Sequence, residues 1–326
     1  VPFLRTLLAA ALVALAACGG GDAGGTGTDD DDDPLAPPST IRGPGPSYAL
    51  PEHLGQIEDR TLDNASGLVS SRRTPGALWS HNDAGSAPVL YCLDFQGRSC
   101  GTWEVTGAEA EDWEDIAIGP GPEPGTAYLY VGDIGDDGRR RPEIVVYRLP
   151  EPAVDLAARP ADPPAPGATE AAVAIRLRYP DRPSDAEALL VHPASGDLYI
   201  VTKDAAATRV FTAPAPHDPS AVTTLRLVAT LEIGFVNARS RMVTAGDISP
   251  DGRHVALMTY AEAYEYALPT DGAGFDDVWR AAPLAIHVPD QVQGEALAYR
   301  PDSAALLVTG ERSPAQLHLM ARKPAP

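Results

Sequence analysis

The stretch EDWEDIAIGP, residues 111–120, sets Glu111, Asp112, Glu114 and Asp115 around one tryptophan and runs at once into Ile116-Ala117-Ile118. Four like charges at the start of a buried strand repel one another and lose hydration. A hard cation relieves both costs, and Ca2+ accepts about six to eight oxygen ligands in loose geometry. Mg2+ demands stricter octahedral geometry. Zinc fits poorly, because His81 has no second histidine at ligand spacing. Pairing of the acids with Arg241, Lys203 and Arg312, or plain hydration in a wet channel, is the alternative to a metal.

The same phrase recurs along the chain. ASGLVSS from Ala65, WEDIAIG from Trp113, AEALLVH from Ala186, AGDISPD from Ala245 and GEALAYR from Gly294 each place a small or acidic residue before a short apolar run. Turn residues follow each of them: RRTPG, PGPEPG, PASGD, SPDGR and RPDSA. Second strands (LWSHND, LYVGD, LYIVTK, VALMTY, LLVTGE) and third strands (VLYCLD, VVYRLP, VFTAPA, YEYALP, LHLMAR) come next. Fourth strands are found at 101–105, 172–180, 225–233 and 284–289, and the segment 53–63 supplies the missing one for the last unit. A self-similar period of roughly 50 residues built from short strands reads as propeller blades. The expectation is therefore an all-β chain. It forms a single β-propeller of five four-stranded blades over residues 47–326, six being the alternative, and its N-terminal strand closes the last blade.

Blade topology sorts these loops onto two faces. The segments leading into first strands, with the loops after second strands, open on one face and carry nearly all the reactive side chains. The turns after first strands open on the other and hold little but Pro and Gly. First strands line the axis, so Glu114, Glu187, Asp247 and Glu295 are expected to meet at one channel mouth and bind Ca2+, with Ser66 in the same place in the remaining blade. Asn82, Asp83, Asp133, Arg241, Tyr260 and Glu311 are the expected ligand-binding set around them. For a metal-dependent hydrolase, Lys203 and Arg312 would hold an anionic group and His81 or an acid would move the proton. The stretch GDIGDD, 132–137, lacks EF-hand spacing, and neither GxSxG nor a P-loop is present.

The phrases DAEALLVHPASGDLYIVTK, TAGDISPDGRHVALMTY and QGEALAYRPD resemble a family of exported bacterial β-propeller proteins. That resemblance implies the fold and no particular reaction. AEAL and GEAL are similar to the acidic first strands of esterase-like phytase propellers. DWEDIAIGP followed by LYVGD is similar in layout to the calcium-activated nucleotidases, which implies five blades and a central Ca2+.

Elsewhere the chain speaks of export. Arg5 precedes an apolar run from Leu7 to Ala17, too short for a bilayer span and suited to a signal peptide over residues 1–17. LAAC, ending at Cys18, resembles the lipobox of bacterial lipoproteins, which implies cleavage before Cys18 and a lipid on its thiol. Residues 18–46, rich in Gly, Asp and Pro, read as a flexible tether. The expected location is the cell envelope, outside the cytoplasm, with the lipid as the only membrane contact. Cys92 and Cys100, flanking a turn at Gly97, suit a disulfide across a hairpin in that compartment. A net charge of −20, from 45 acids against 25 bases, argues against nucleic acid and favours cations. A monomer with a small polar ligand or an unidentified protein partner completes the expectation.

Overall fold

The computed structural model describes residues 48–157, 167–234, 239–272, 274–289, 293–311 and 313–323. The segments expected to be signal peptide and tether, with Cys18, and also Arg312 lie outside them. The strands form five sheets, each beginning at the axis. Blade 1 runs outward through Ala65–Ser70, Ala77–Asn82, Val89–Asp94 and Ser99–Glu104. Blade 2 uses Trp113–Pro120, Ala127–Asp133, Ile144–Pro150 and Val173–Arg178. Blade 3 uses Ala186–Val191, Leu198–Thr202, Thr208–Ala213 and Arg226–Leu231. Blade 4 uses Val243–Ile248, His254–Thr259, Ala263–Ala267 and Leu284–Ile286. Blade 5 uses Gly294–Tyr299, Ala305–Gly310 and Gln316–Ala321, and its outer edge is Glu52–Gln56 from the start of the described residues. Five blades, rather than six, is the count, and the N-terminal strand closes the ring.

Burial falls off from axis to rim. Innermost strands such as Ala186–Val191 are buried throughout, whereas the outer Val173–Arg178 alternates between exposed and buried. That is the pattern of strands covered on both faces at the centre and on one face outside. Apolar side chains fill the gaps between neighbouring blades, so the molecule has five inter-blade cores instead of one central core. Two outer edges are also covered. Gly167–Ala168, reached from blade 2, pairs in parallel with the outer strand of blade 1, and Val222–Thr224, reached from blade 3, does the same for blade 2. Covered edges blunt strand-to-strand aggregation.

Ring closure is reinforced by a buried carboxylate. Glu265 of blade 4 accepts hydrogen bonds from Tyr48 Oη and Tyr299 Oη, both at 2.6 Å, and pairs with Arg322. It ties Tyr48, ahead of the first strand, and Arg322, after the last, to blades 4 and 5. The two cysteines lie on neighbouring strands of blade 1. They carry no covalent bond to each other, but Cys92 shares a hydrogen bond with Cys100, and this contact and burial push its thiol far up.

Candidate metal centre

Every innermost strand carries a β-bulge at the same end. The pairing slips between Ala65 and Leu68, Trp113 and Asp115, Ala186 and Ala188, Val243 and Ala245, and Gly294 and Ala296. A bulge inserts one extra residue and re-aims its side chain. The residues so placed are Ser66, Glu114, Glu187, Thr244 and Glu295. This explains the opening motif. Trp113 turns into the core between blades 1 and 2, donating Nε1–H to Glu109 O at 2.8 Å. Glu114 takes the bulge. Asp115 turns inward and accepts N–H from Ile116 at 2.8 Å and from Leu189 of the next blade at 3.0 Å.

Asp247 does not join the mouth as expected. Thr244 occupies the bulge in blade 4, and Asp247, three residues on, faces the opposite end of the channel beside Arg72. There it accepts Tyr299 N–H at 2.8 Å, and burial pushes it up to about 7. The two neutral bulge residues serve the frame instead, Ser66 donating to Glu114 O at 2.9 Å and Thr244 to Gly294 O at 2.8 Å.

Two carboxylate triads form at the mouth. Single oxygens of Asp83, Asp112 and Glu114 lie within 4.8 Å of one another, and so do those of Asp83, Glu295 and Glu311. Asp83 belongs to both. Burial, followed by the charges of Glu187, Asp83 and Asp112, pushes Glu114 well above the usual carboxylate range. Burial, a hydrogen bond with Glu311 and the charge of Glu187 push Glu295 up to about 9. Burial and the charges of Asp83 and Asp185 push Asp112 up to about 6. Gly135 lies close beside them, and a Cβ there would push Glu114 Oε1 and Asp112 Oδ2 out of their present positions.

Glu187 differs in having a cation beside it, although burial still pushes its carboxyl up to about 8. It pairs with Lys203 of its own blade. Burial opposes the ammonium, but Glu187 overrides it and raises the Lys203 pKa. Lys203 also lies 5.3 Å from the Tyr260 ring centre, and Arg239 lies 4.6 Å from the same ring. Tyr260 thus sits at the rim between two cations.

Other expected residues have structural posts. His81 is fully buried, edge-on to Trp113 with ring centres 5.6 Å apart, and its Nδ1 lies 2.9 Å from Asn82 O. Burial lowers its pKa, and it does not reach the mouth as a proton carrier. Asn82 holds the segment before blade 1, donating to Thr61 O at 2.7 Å and accepting Asn64 N–H at 3.0 Å. Asp133 accepts N–H from Glu111 and Asp112, both at 3.1 Å, and pairs with Arg141 at 2.7 Å. Arg241 donates to Gly234 O at 3.0 Å and belongs to neither triad.

No known family model matches the chain, and no curated protein matches it. Among solved structures, the chain is similar to one described as the crystal structure of a nidogen/laminin complex, with a TM-score of 0.41 and 10% identity over 76% of this chain and 73% of that one.

Proposed function

We propose that the protein is a lipid-anchored, extracytoplasmic binding module whose acidic channel mouth holds a divalent cation, Ca2+ foremost. The observation that carries this reading is the double membership of Asp83, which joins two carboxylate triads into one oxygen-lined bowl. The donors are all carboxylates, which suits a hard cation, and loose spacing suits Ca2+ more than Mg2+. Glu114, Asp112, Asp83, Glu295 and Glu311 are the ligands, with Glu187 held in reserve by Lys203. Open coordination positions face solvent and would take a small polar ligand or a side chain from a protein partner. Isothermal titration of Ca2+ into the EDTA-treated, dialysed protein tests the reading. Saturable binding of one or two ions, lost on Asp83→Asn, is expected. Absence of any saturable binding in the unsubstituted protein refutes it.

A metal-dependent hydrolase of phosphate or related esters is the second reading. Arg239, stacked on Tyr260 beside the triads, favours it, because an exposed guanidinium there is placed to hold an anionic group. Two features weigh against it. His81 is buried away from the mouth, and Lys203 is committed to Glu187. Turnover of p-nitrophenyl phosphate or a nucleoside diphosphate, dependent on Ca2+ or Mg2+ and lost with Arg239→Gln, would establish it in place of the binding module.

A further inference from the structure

The opposite end of the channel is a second cavity of about 320 Å3 to which all five blades contribute. Its rim is made by Pro75, Pro193, Pro250 and Pro301, each in the turn after a first strand. Ile118 and Ile248 line its wall. Prolines fix their own backbone, so this mouth is formed before any ligand arrives.

The polar groups of the cavity are committed, with one exception. Ser70 Oγ donates to Tyr299 O at 2.8 Å, Ser71 Oγ donates to Glu151, and Asp247 accepts Tyr299 N–H at 2.8 Å. The exception is Arg72. Its backbone is pinned, since Glu151 accepts N–H from Arg72 at 3.3 Å and from Arg73 at 3.0 Å. Its guanidinium pairs with no carboxylate among the described residues, although Asp247 and Glu151 are near enough to act on its charge. Burial lifts Asp247 to about 7, so the wall beside Arg72 is partly neutral at neutral pH.

An apolar, preformed cavity with a single uncommitted guanidinium has a defined complement. We infer that this mouth binds a small organic carboxylate with an apolar tail, its head on Arg72 and its tail among the prolines and isoleucines. A fork of N–H donors matches a carboxylate in two parallel bonds. The site is at the other face from the acidic bowl and does not depend on the cation.

The test uses the full chain with octanoate as probe and octanamide as its uncharged match, followed by calorimetry. Octanoate should bind saturably, and octanamide about tenfold or more weaker. Arg72→Gln should weaken octanoate by a similar factor, and Arg72→Lys by less. EDTA and excess Ca2+ should each leave octanoate binding unchanged, which separates this site from the acidic one. Equal affinity for octanamide, unaltered binding to Arg72→Gln, or no binding of octanoate to the unsubstituted protein would each overturn the inference.

Discussion

Lys203 reaches from the loop after the second strand of blade 3 onto Glu187, the bulge residue of the first strand of that same blade. Among the described residues it is the only cation bonded to a bulge carboxylate, so Glu114 and Glu295 meet other acids instead. The mouth is therefore divided into one bulge carboxylate bonded to a cation and two that face other acids.

Lys203→Met leaves Glu187 buried without its partner. The two side chains are only 13% and 7% exposed, so the loss should be that of a broken buried pair, about 3 kcal/mol or more. Urea denaturation in EDTA measures it. Added Ca2+ should recover more stability in this variant than in the unsubstituted protein, because a further carboxylate becomes available. An unchanged midpoint in EDTA would show that the pair is already solvated.

Asp247 makes stability depend on pH with a definite sign. Its folded pKa, about 7, is raised above that of the unfolded chain, so the folded state binds more protons between the two values. Its contribution is fully present below about pH 4, is lost as pH rises through about 7, and is constant above. Asp247→Asn should flatten the stability profile across this window. Denaturation midpoints of both proteins from pH 4 to 8 check it, and parallel profiles would refute it.

The ring is latched through Glu265. Glu265→Gln keeps the shape but weakens two tyrosine hydrogen bonds and the pairing with Arg322. A loss of about 2–3 kcal/mol is expected, since bonds to a charged acceptor are the strong ones. Tyr48→Phe should cost about 1 kcal/mol. Equilibrium unfolding gives both numbers, and hydrogen exchange should rise first in Glu52–Gln56.

Cys92 and Cys100 are close enough to share a hydrogen bond, so oxidation in an exported protein should join them. The closed loop is short, and the gain should be modest, about 2 kcal/mol. Intact mass of protein produced in an oxidising compartment, before and after reduction, should differ by two hydrogens. Identical masses would mean that both thiols persist.

The ring itself was readable in the chain because five first strands, from ASGLVSS to GEALAYR, repeat one pattern of small or acidic residue and apolar run. The closing strand near His53 followed from a missing fourth strand in the last unit. Glu114, Glu187 and Glu295 could be placed for the same reason. Asp247 could not, because a bulge adds one residue to the count and leaves no mark in composition. In blade 4 the bulge fell on Thr244. Asp83 was placed only in the surrounding ligand-binding set, because its approach to carboxylates of blades 2 and 5 depends on a loop conformation that leaves no mark in the sequence. His81 looked available because HND reads as a polar tip, whereas the strand extends through Asn82 and turns the imidazole against Trp113. Arg72 was hidden in a turn, RRTPG, whose neighbours carry several other exposed charges, and nothing in the sequence singles it out.

The central claim is that the acids at the mouth are held together by a cation shared through Asp83. Thermal unfolding of the unsubstituted protein, Asp83→Asn and Glu295→Gln, each in EDTA and in excess Ca2+, tests it most directly. Bound ion should stabilise the unsubstituted protein by roughly 2.7 kcal/mol when free Ca2+ is about a hundred times the dissociation constant. Asp83→Asn should lose nearly all of that shift, and Glu295→Gln part of it. If Ca2+ produces no shift in the unsubstituted protein and Asp83→Asn melts higher than it in EDTA, the acids only repel one another and the claim is contradicted.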